Sequence, residues 1–373
     1  MPVELKSPPT SPPAGFRSHI RKVDFSRVAA AMLGLAGPVA AGALLGHLQA
    51  GMAASLGGLA LSGAPRGAKS REYALSLVYS IVTGTAAMLT GSALGSHRLW
   101  AAFGIPLIAA VFGLLGNVSR PLAQTSARFV LYAIIAAGLG AEGADPLGTS
   151  LLFFSGAVWT AGLFLISSLL PPANGKAPTL PDSGNPARRS DPGPKQLLHR
   201  WRNSLAHLSA WQYPIRIWIC LLAAGALEWI WPLRHGQWIG LTVGIVVHRD
   251  LRNSLNRTLQ RAVGTFTGVL LSFLLTLTPL PAWALIAIIA LLSAARSVLR
   301  EFNYTAYATV HTPLIILLID LGRMPSGGII VDRLAATLAG CAISVAFGYL
   351  FWPKLRKNPK TSAAEAGPPR NDE

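Results

Sequence analysis

Long runs of apolar residues, separated by short polar connections, dominate this chain. Runs such as Tyr73–Leu94, Leu99–Val118, Pro146–Leu170 and Ala262–Thr278 contain no Asp, Glu, Lys or Arg. A helix of about 18 or more such residues can cross the roughly 30 Å hydrocarbon core of a bilayer, because it satisfies its own backbone hydrogen bonds there. The pattern therefore predicts an all-α polytopic membrane protein.

The apolar runs divide into about twelve candidate transmembrane helices, six in each half of the chain. Six crossings return the chain to its starting side, so we expect two parallel six-helix repeats related by an axis along the membrane normal. Short matching motifs support a duplication. Arg27 and Arg216 each lie at the start of the first apolar run of a half, and Gly84-Thr85 matches Gly264-Thr265. The predicted spans are Val28–Gly46, Ala50–Ser62, Tyr73–Leu94, Leu99–Val118, Phe129–Gly140, Pro146–Leu170, Ile217–Pro232, Gln237–Val247, Ala262–Thr278, Ala282–Ala295, Phe302–Ile319 and Leu334–Trp352.

The predicted domain organisation follows from these runs. We expect a cytosolic N-terminal tail at 1–27, a first transmembrane repeat at 28–170, a cytosolic linker at 171–214, a second repeat at 215–353 and a cytosolic C-terminal tail at 354–373. Apolar or amphipathic residues recur at three- and four-residue steps from Leu198 to Gln212. This spacing predicts a short amphipathic helix, lying either in the headgroup region or over the cytoplasmic mouth of the bundle.

The positive charge of the chain is concentrated on one side of the predicted spans. Of the 32 Lys and Arg residues, 28 fall in the tails and connections of one face, and only Arg98, Arg234, Arg323 and Arg333 fall on the other. This positive-inside bias places both termini in the cytoplasm. It also accounts for the net charge of +17 without nucleic acid as a partner.

Composition excludes several classes of protein. Only 13% of the 373 residues are charged, against about 25% in an ordinary soluble domain. The sequence has no paired carboxylates within the membrane, no metal-ligand cluster, no phosphate-binding Gly-rich loop and no nucleophile turn. Cys220 and Cys341 each lie inside an apolar run and indicate no disulfide framework. We therefore expect no enzymatic activity, no cofactor and no metal site.

The second span of each half is short and rich in glycine. Ala50–Ser62 and Gln237–Val247 are too short to cross comfortably. Short or Gly-interrupted segments at corresponding positions of two repeats are typical of a transport site. Alternatively, these are ordinary spans whose ends lie in loops, or re-entrant segments of a ten-span protein.

Arginines follow the short eighth span. Arg249, Arg252 and Arg257 can lie off the apolar stripe of a helix that continues into the ninth span, and Arg261 lies closest to the apolar run. A ring of arginines at a pore mouth would concentrate an anion and hold a carboxylate in a bidentate fork. Contacts with lipid headgroups are the alternative role for each of them.

His311 lies near the middle of the eleventh predicted span, directly before Thr312. An ionisable group at that depth is costly unless it meets a partner or water, so it is a candidate functional residue. A neutral His311 hydrogen-bonded to a neighbouring helix would satisfy the same physical requirement without a role in transport.

The second half of the chain carries a set of ordered motifs: His235-x-x-Trp238, Thr242, Asp250, Arg257, Gln260-Arg261, Gly264-Thr265-x-x-Gly268, Tyr304, Thr312-Pro313 and Arg333-Leu334-x-x-Thr337-x-x-Gly340. With these residues it resembles the fusaric acid resistance family, which includes the bacterial aromatic acid exporters. The resemblance implies export of organic acids, aromatic carboxylates among them, across the bacterial inner membrane. Some family members work with a periplasmic adaptor protein. The resemblance in fold extends to plant anion channels in which two six-helix subunits pair around a pore, an arrangement that the two halves of this chain could imitate internally. A homo-oligomer is a separate open alternative.

These observations lead to one hypothesis and two alternatives. In the leading one, the two halves enclose an anion pathway in the lipid bilayer, and the four arginines from Arg249 to Arg261 collect a small organic anion. The passage would be lined by His235, Gln237, Trp238 and Thr242, with Trp238 stacking on an aromatic ring. The alternatives are a passive anion channel and an envelope scaffold without a substrate. A water-accessible cavity at these residues favours transport, and a tight helix interface favours the scaffold.

Overall fold

The computed structural model describes residues 24–61, 70–169, 199, 201–203, 205–206, 208–231, 236–247, 249, 251–276, 280–299, 303–320 and 327–352. The helices of the first half are α1 (Phe25–Leu44), α2 (Leu48–Leu61), α3 (Ser70–Gly95), α4 (Arg98–Leu115), α5 (Arg120–Ala141) and α6 (Pro146–Leu169). Those of the second half are α7 (Leu208–Ile230), α8 (Gln237–Val246), α9 (Leu251–Thr276), α10 (Ala282–Leu299), α11 (Tyr304–Asp320) and α12 (Gly327–Val345), which continues as a π-helix over Ala346–Leu350.

The all-helical fold class predicted from the sequence is confirmed for these residues, which contain no β-strand. By length and composition, eight of the helices are able to cross a membrane: α1, α3, α4, α5, α6, α7, α10 and α12. The apolar parts of the other four, α2, α8, α9 and α11, are 10–17 residues long. The chain is therefore a polytopic membrane protein.

Several helices extend beyond the predicted apolar runs. Helix α9 begins at Leu251 rather than Ala262, and α5 begins at Arg120 rather than Phe129. Helix α5 starts there because the Ser119 hydroxyl accepts a hydrogen bond from the Leu122 amide and a proline follows in the first turn. Hydropathy measures the apolar part of a helix, whereas capping and backbone hydrogen bonds decide where the helix ends.

Parts of the predicted organisation lie outside the described residues. These include the tail before Asp24, the tail after Trp352 and most of the predicted linker at 171–214. Leu208 and Gln212, which we assigned to a separate amphipathic helix, belong to the first turns of α7. The indole Nε1 of Trp201 donates a hydrogen bond to the carbonyl oxygen of Leu114, at the end of α4, over 3.3 Å.

Five of the buried hydroxyl groups donate to a carbonyl oxygen of their own helix. Thr160, Thr242 and Thr312 each donate to the carbonyl oxygen four residues earlier, at 2.9 Å. Ser272 and Ser344 do the same on α9 and α12. This local bonding allows small polar side chains to lie inside an apolar bundle without requiring a ligand.

Glycines set the close contacts between helices in both halves. In the first half, Gly91 and Gly95 of α3 lie against the backbone of α5, and Gly57 of α2 lies against α6. In the second half, Gly264 of α9 lies against α11, and Gly340 of α12 lies against α8. The third helix of each half thus packs on the fifth, and the second on the sixth. Small residues permit such close approach, which drives helix association in lipid.

The two halves meet along matching pairs of helices. Helix α4 packs on α7 and α10 packs on α1, while α5 contacts α8 and α11 contacts α2. The α1–α10 contact includes a hydrogen bond from the Ser293 hydroxyl to the Ala31 carbonyl oxygen, at 2.9 Å. These four contacts therefore form two matching pairs when the halves are exchanged.

Candidate functional site

The short helix α8 places its polar residues in two different environments. Gln237, at its first position, lies against Gly138 of α5, where a Cβ would collide with the Gln237 side chain. It lines a cavity of about 390 Å³ between the two halves, which we call the α4–α7 cavity. Thr242 is buried, and its Cβ lies close to Gly340 of α12. Gln237 therefore lies at a cavity, as expected for transport, whereas Thr242 lies at a tight helix interface, as expected for a scaffold.

Trp238 is buried beneath an arginine from another helix. The guanidinium carbon of Arg333, on α12, lies 3.0 Å from the centroid of the Trp238 ring. Both side chains are almost completely buried, at 4% and 3% exposure. This cation–π contact occupies the aromatic face that we expected to stack on a substrate. A substrate ring would have to displace Arg333 or use another face of the indole.

Arg249 joins the end of α4 to the start of α7. Its Nη2 donates to the Gly113 carbonyl oxygen at 2.7 Å, and its Nη1 donates to Asn117 Oδ1 at 2.5 Å. The guanidinium carbon also lies 4.6 Å from the centroid of the Tyr213 ring. Burial lowers the pKa of Arg249, and the nearby Tyr213 acts in the opposite direction. A cation at the C-terminus of α4 satisfies carbonyls that the helix leaves open.

Arg261 is more buried than Arg249, the other predicted arginine whose side chain the structure describes. It lies on α9 with 3% of its surface exposed, and its Nε makes no hydrogen bond to the described residues. Cys341 of α12 is close enough for an electrostatic interaction with it. Arg252 and Arg257 lie on the same helix, but their side chains, like His235, lie outside the described residues.

His311 and Thr312 lie on adjacent positions of α11 with different neighbours. The imidazole of His311 stacks on Tyr307, with 5.1 Å between ring centroids. Arg296 of α10 lies over the same tyrosine, 5.7 Å from its centroid. Thr312 is fully buried, and its Cβ lies close to Gly268 of α9. His311 thus belongs to a group with an arginine and a tyrosine, whereas Thr312 contributes to the α9–α11 contact.

Comparison with known proteins bears on the region that holds most of these residues. Residues 220–347, roughly a third of the chain, match a family model described as fusaric acid resistance protein-like. This region is similar to the fusaric acid resistance family. The resemblance inferred from the sequence is confirmed there, and the family together with the apolar helices indicates a membrane transporter. No curated protein and no solved structure matches the chain.

Several residues that carry the resemblance make helix contacts within the fusaric acid resistance protein-like region. A Cβ on Gly264 would meet Ala308 and the Thr305 carbonyl, and one on Gly268 would meet Thr309 and Thr312. Gly340 likewise leaves no room for a Cβ beside α8. These small residues hold α8, α9, α11 and α12 together, so part of the family pattern specifies the bundle rather than a binding site.

Arg216, four residues before the fusaric acid resistance protein-like region, was missed as a candidate by sequence reasoning. It is 1% exposed, and its Nε donates to the Gly348 carbonyl oxygen at 2.7 Å. Its Nη2 makes no hydrogen bond to the described residues. The available signal was an arginine directly before the apolar run Ile217–Pro232, which we used only to align the two halves.

The buried charges are all positive among the side chains that the structure describes. Arg216, Arg261, Arg296 and Arg333 are 1–7% exposed, and no aspartate or glutamate whose side chain is described is buried to this degree. Three of the four belong to the fusaric acid resistance protein-like region. The described residues contain no group of three His, Cys, Asp or Glu side chains able to hold a metal ion. The arrangement can therefore attract an anion.

Proposed function

We propose that the protein exports small organic carboxylate anions, aromatic carboxylates among them, across the inner membrane. The observation that carries this proposal is the set of four buried arginines, with no buried carboxylate among the side chains that the structure describes. A charge inside a membrane bundle is costly and marks an ion or substrate pathway. Arginine suits a carboxylate because its planar guanidinium donates two parallel hydrogen bonds.

The positions of the arginines suit a directional pathway. With both termini in the cytoplasm, Arg216, Arg261 and Arg296 lie toward the cytoplasmic ends of α7, α9 and α10. Arg333 lies near the opposite end of the bundle, in the second turn of α12. An anion would be collected at the cytoplasmic side by Arg261 with Arg249, Arg252 and Arg257. It would then pass α8, where His235, Gln237, Trp238, Thr242, His311 and Thr312 are the proposed lining.

We also propose that the helices form two parallel six-helix repeats with twelve crossings. The support is the matching of contacts when the halves are exchanged: α3–α5 with α9–α11, α2–α6 with α8–α12, and α4–α7 with α10–α1. The anion pathway would follow the junction between the repeats. A periplasmic adaptor or a second copy of the chain would complete the route, and the lipid bilayer supplies the surrounding solvent.

Efflux from proteoliposomes tests the function. Vesicles loaded with labelled benzoate, hydroxybenzoates and aliphatic carboxylates should release at least one of them faster than protein-free vesicles. Arg261→Ala should lower the initial rate about tenfold, which corresponds to the loss of one charge-assisted hydrogen bond. Arg261→Lys should recover part of the rate, because it restores the charge without the fork.

Controls separate transport from folding and from passive flow. Arg71→Ala removes an exposed arginine at the start of α3 and should leave efflux unchanged. Each variant is compared at equal amounts of monodisperse protein. Accumulation against a concentration gradient when an ion gradient is imposed favours a coupled exporter, and flux that only runs downhill favours a channel. Folded wild-type protein that releases none of the carboxylates would overturn the proposal in favour of a scaffold.

A further inference from the structure

The α4–α7 cavity lies at the junction of the two halves and is large enough for a small organic molecule. Its volume is about 390 Å³, within the range of roughly 300–1,000 Å³ that ligand sites occupy. Its wall on α4 runs from Arg98 to Pro106, and its wall on α7 runs from Leu221 to Trp229. At 1.5 Å per helical residue, the cavity is about 12 Å deep.

The polar groups of the cavity gather at one end, and its depth is apolar. The shallow end carries Arg98, Glu228 and Gln237. The deeper walls are formed by small or aliphatic residues of α4, α5, α7 and α8, including Ile105, Ile134, Leu221, Ala224 and Gly240. This division suits a molecule with one polar end and a compact apolar body, which would enter with its apolar end first.

Arg98 and Glu228 face each other across the junction of the halves. Arg98 Nη2 lies 3.4 Å from the backbone oxygen of Glu228, and its guanidinium carbon lies 4.4 Å from the centroid of the Trp229 ring. The Glu228 side chain lies against Gly236, at the start of α8, where a Cβ would collide with it. The charges of Arg98 and Glu228 are close enough to interact. The lining therefore offers one guanidinium with one carboxylate beside it.

The charge balance of this cavity differs from that of the buried arginines. Its lining contains one positive and one negative side chain, whereas the fully buried charges elsewhere in the described residues are positive. A single carboxylate can share Arg98 with Glu228, because the guanidinium has five N–H donors. A second carboxylate on the same molecule would lie near Glu228 in a site of reduced dielectric, and like charges repel strongly there.

We propose that the α4–α7 cavity is a substrate chamber that admits monocarboxylates with a compact apolar body and rejects dicarboxylates, with Glu228 as the residue that sets this selectivity. The proposal rests on the proposed function, since it concerns the same exported anions. Arg98 holds the substrate carboxylate, Glu228 competes for the same guanidinium, and the apolar depth limits the size of the body. Competition by Glu228 also weakens binding enough for release, as transport requires.

The first experiment compares benzoate with phthalate, which has the same ring and a second carboxylate on the adjacent carbon, so that both carboxylates lie at the end of the cavity that carries Arg98 and Glu228. Proteoliposomes of wild-type protein should transport benzoate and exclude phthalate. Glu228→Gln keeps the shape of the side chain and removes its charge, so the rate of phthalate relative to benzoate should rise about tenfold. The matched control is Asp145→Asn, which changes an exposed acid that caps α6 through the Gly148 amide and that asparagine can replace. This control should leave the ratio unchanged.

The second experiment changes the size of the chamber. Gly225 lines the cavity, and the nearest atoms to a Cβ there are in Ala102 at 3.9 Å. Gly225→Leu therefore fills part of the cavity without forcing the backbones apart. It should reduce transport of 2-naphthoate at least fivefold more than transport of acetate. The control is Gly162→Leu on α6, where a Cβ meets nothing within 4 Å and which does not line this cavity.

The outcomes separate the two proposals. A wild-type protein that transports no carboxylate overturns the proposed function itself. A wild-type protein that transports benzoate, together with an unchanged ratio of phthalate to benzoate transport in folded Glu228→Gln, overturns the selectivity role of Glu228. Equal effects of Gly225→Leu and Gly162→Leu on naphthoate and acetate overturn the chamber. A raised ratio in Glu228→Gln with selective loss of naphthoate in Gly225→Leu supports it.

Discussion

Arg216 Nε donates a hydrogen bond to the carbonyl oxygen of Gly348, at 2.7 Å. This contact joins α7, the first helix of the second half, to the π-helical end of α12, the last. In the first half, Arg27 of α1 lies over the Phe164 ring of α6, 5.9 Å from its centroid. The arginine near the start of each half therefore contacts the sixth helix of that half. The guanidinium of Arg216 is buried, whereas Arg27 is partly exposed.

Removal of the Arg216 side chain should destabilise the second half. Arg216→Ala leaves the Gly348 carbonyl without this donor, and a hydrogen bond to a charged group contributes roughly 1.5–3 kcal/mol. Arg216→Lys should recover only part of the loss, because the amine lacks the Nε position. Thermal unfolding in detergent, followed by tryptophan fluorescence, measures the change. Arg202→Ala, at an exposed site, is the control. A higher melting temperature for Arg216→Ala would contradict the role.

Arg249 and Asn117 should stabilise the protein as one unit. Arg249→Gln removes the donors to Gly113 and Asn117, and Asn117→Ala removes one of the same contacts. We expect each variant to lower the free energy of unfolding by about 1–3 kcal/mol. The double variant should lose less than the sum of the two, because the residues share an interaction. Strict additivity would show that the two side chains act independently. Efflux per folded molecule then decides whether Arg249 also contacts substrate.

Two helical glycines should respond to alanine with opposite signs. At Gly268 a Cβ would lie 2.7 Å from the Thr309 carbonyl oxygen and from Thr312 Cβ. Such overpacking costs roughly 1–3 kcal/mol. At Gly162 a Cβ meets nothing within 4 Å, so alanine should stabilise α6 by up to about 1 kcal/mol through helix propensity. Melting temperatures and membrane abundance check both. A lower melting temperature for Gly162→Ala than for Gly268→Ala would refute this account of the α9–α11 contact.

Cysteine labelling should distinguish the two environments on α8. In a background with Cys220→Ala and Cys341→Ala, both native cysteines being buried, Gln237→Cys should react with a membrane-impermeant maleimide added outside intact cells. Thr242→Cys should stay unlabelled until the protein is unfolded in detergent, because Thr242 packs against α12. Labelling of Gln237→Cys only from the cytoplasmic side would contradict the proposed orientation. Fast labelling of both would contradict the packing of α8.

Much of the helical architecture follows from the sequence. The apolar runs place the helices, and the short second helix of each half, Leu48–Leu61 and Gln237–Val246, falls where the glycine-rich runs predict it. The family resemblance, carried by motifs such as Gly264-Thr265-x-x-Gly268, is confirmed over residues 220–347. These features are readable because hydropathy and helix formation depend on residues that are close in sequence. The predicted helix ends were less accurate. Helix α5, for example, begins where Ser119 caps it and not where the apolar run begins.

The side-chain environments were decided by the tertiary structure. Trp238 and Arg333 belong to separate motifs of the sequence, yet they form one buried contact. Arg98 contacts Glu228, which lies 130 positions later in the chain. Gln237 lines a cavity while Thr242, five residues later on the same helix, packs against Gly340. Such relations depend on how each helix is rotated and which helix it meets. Close contacts between distant glycines and backbones set that rotation, and local periodicity carries no information about it.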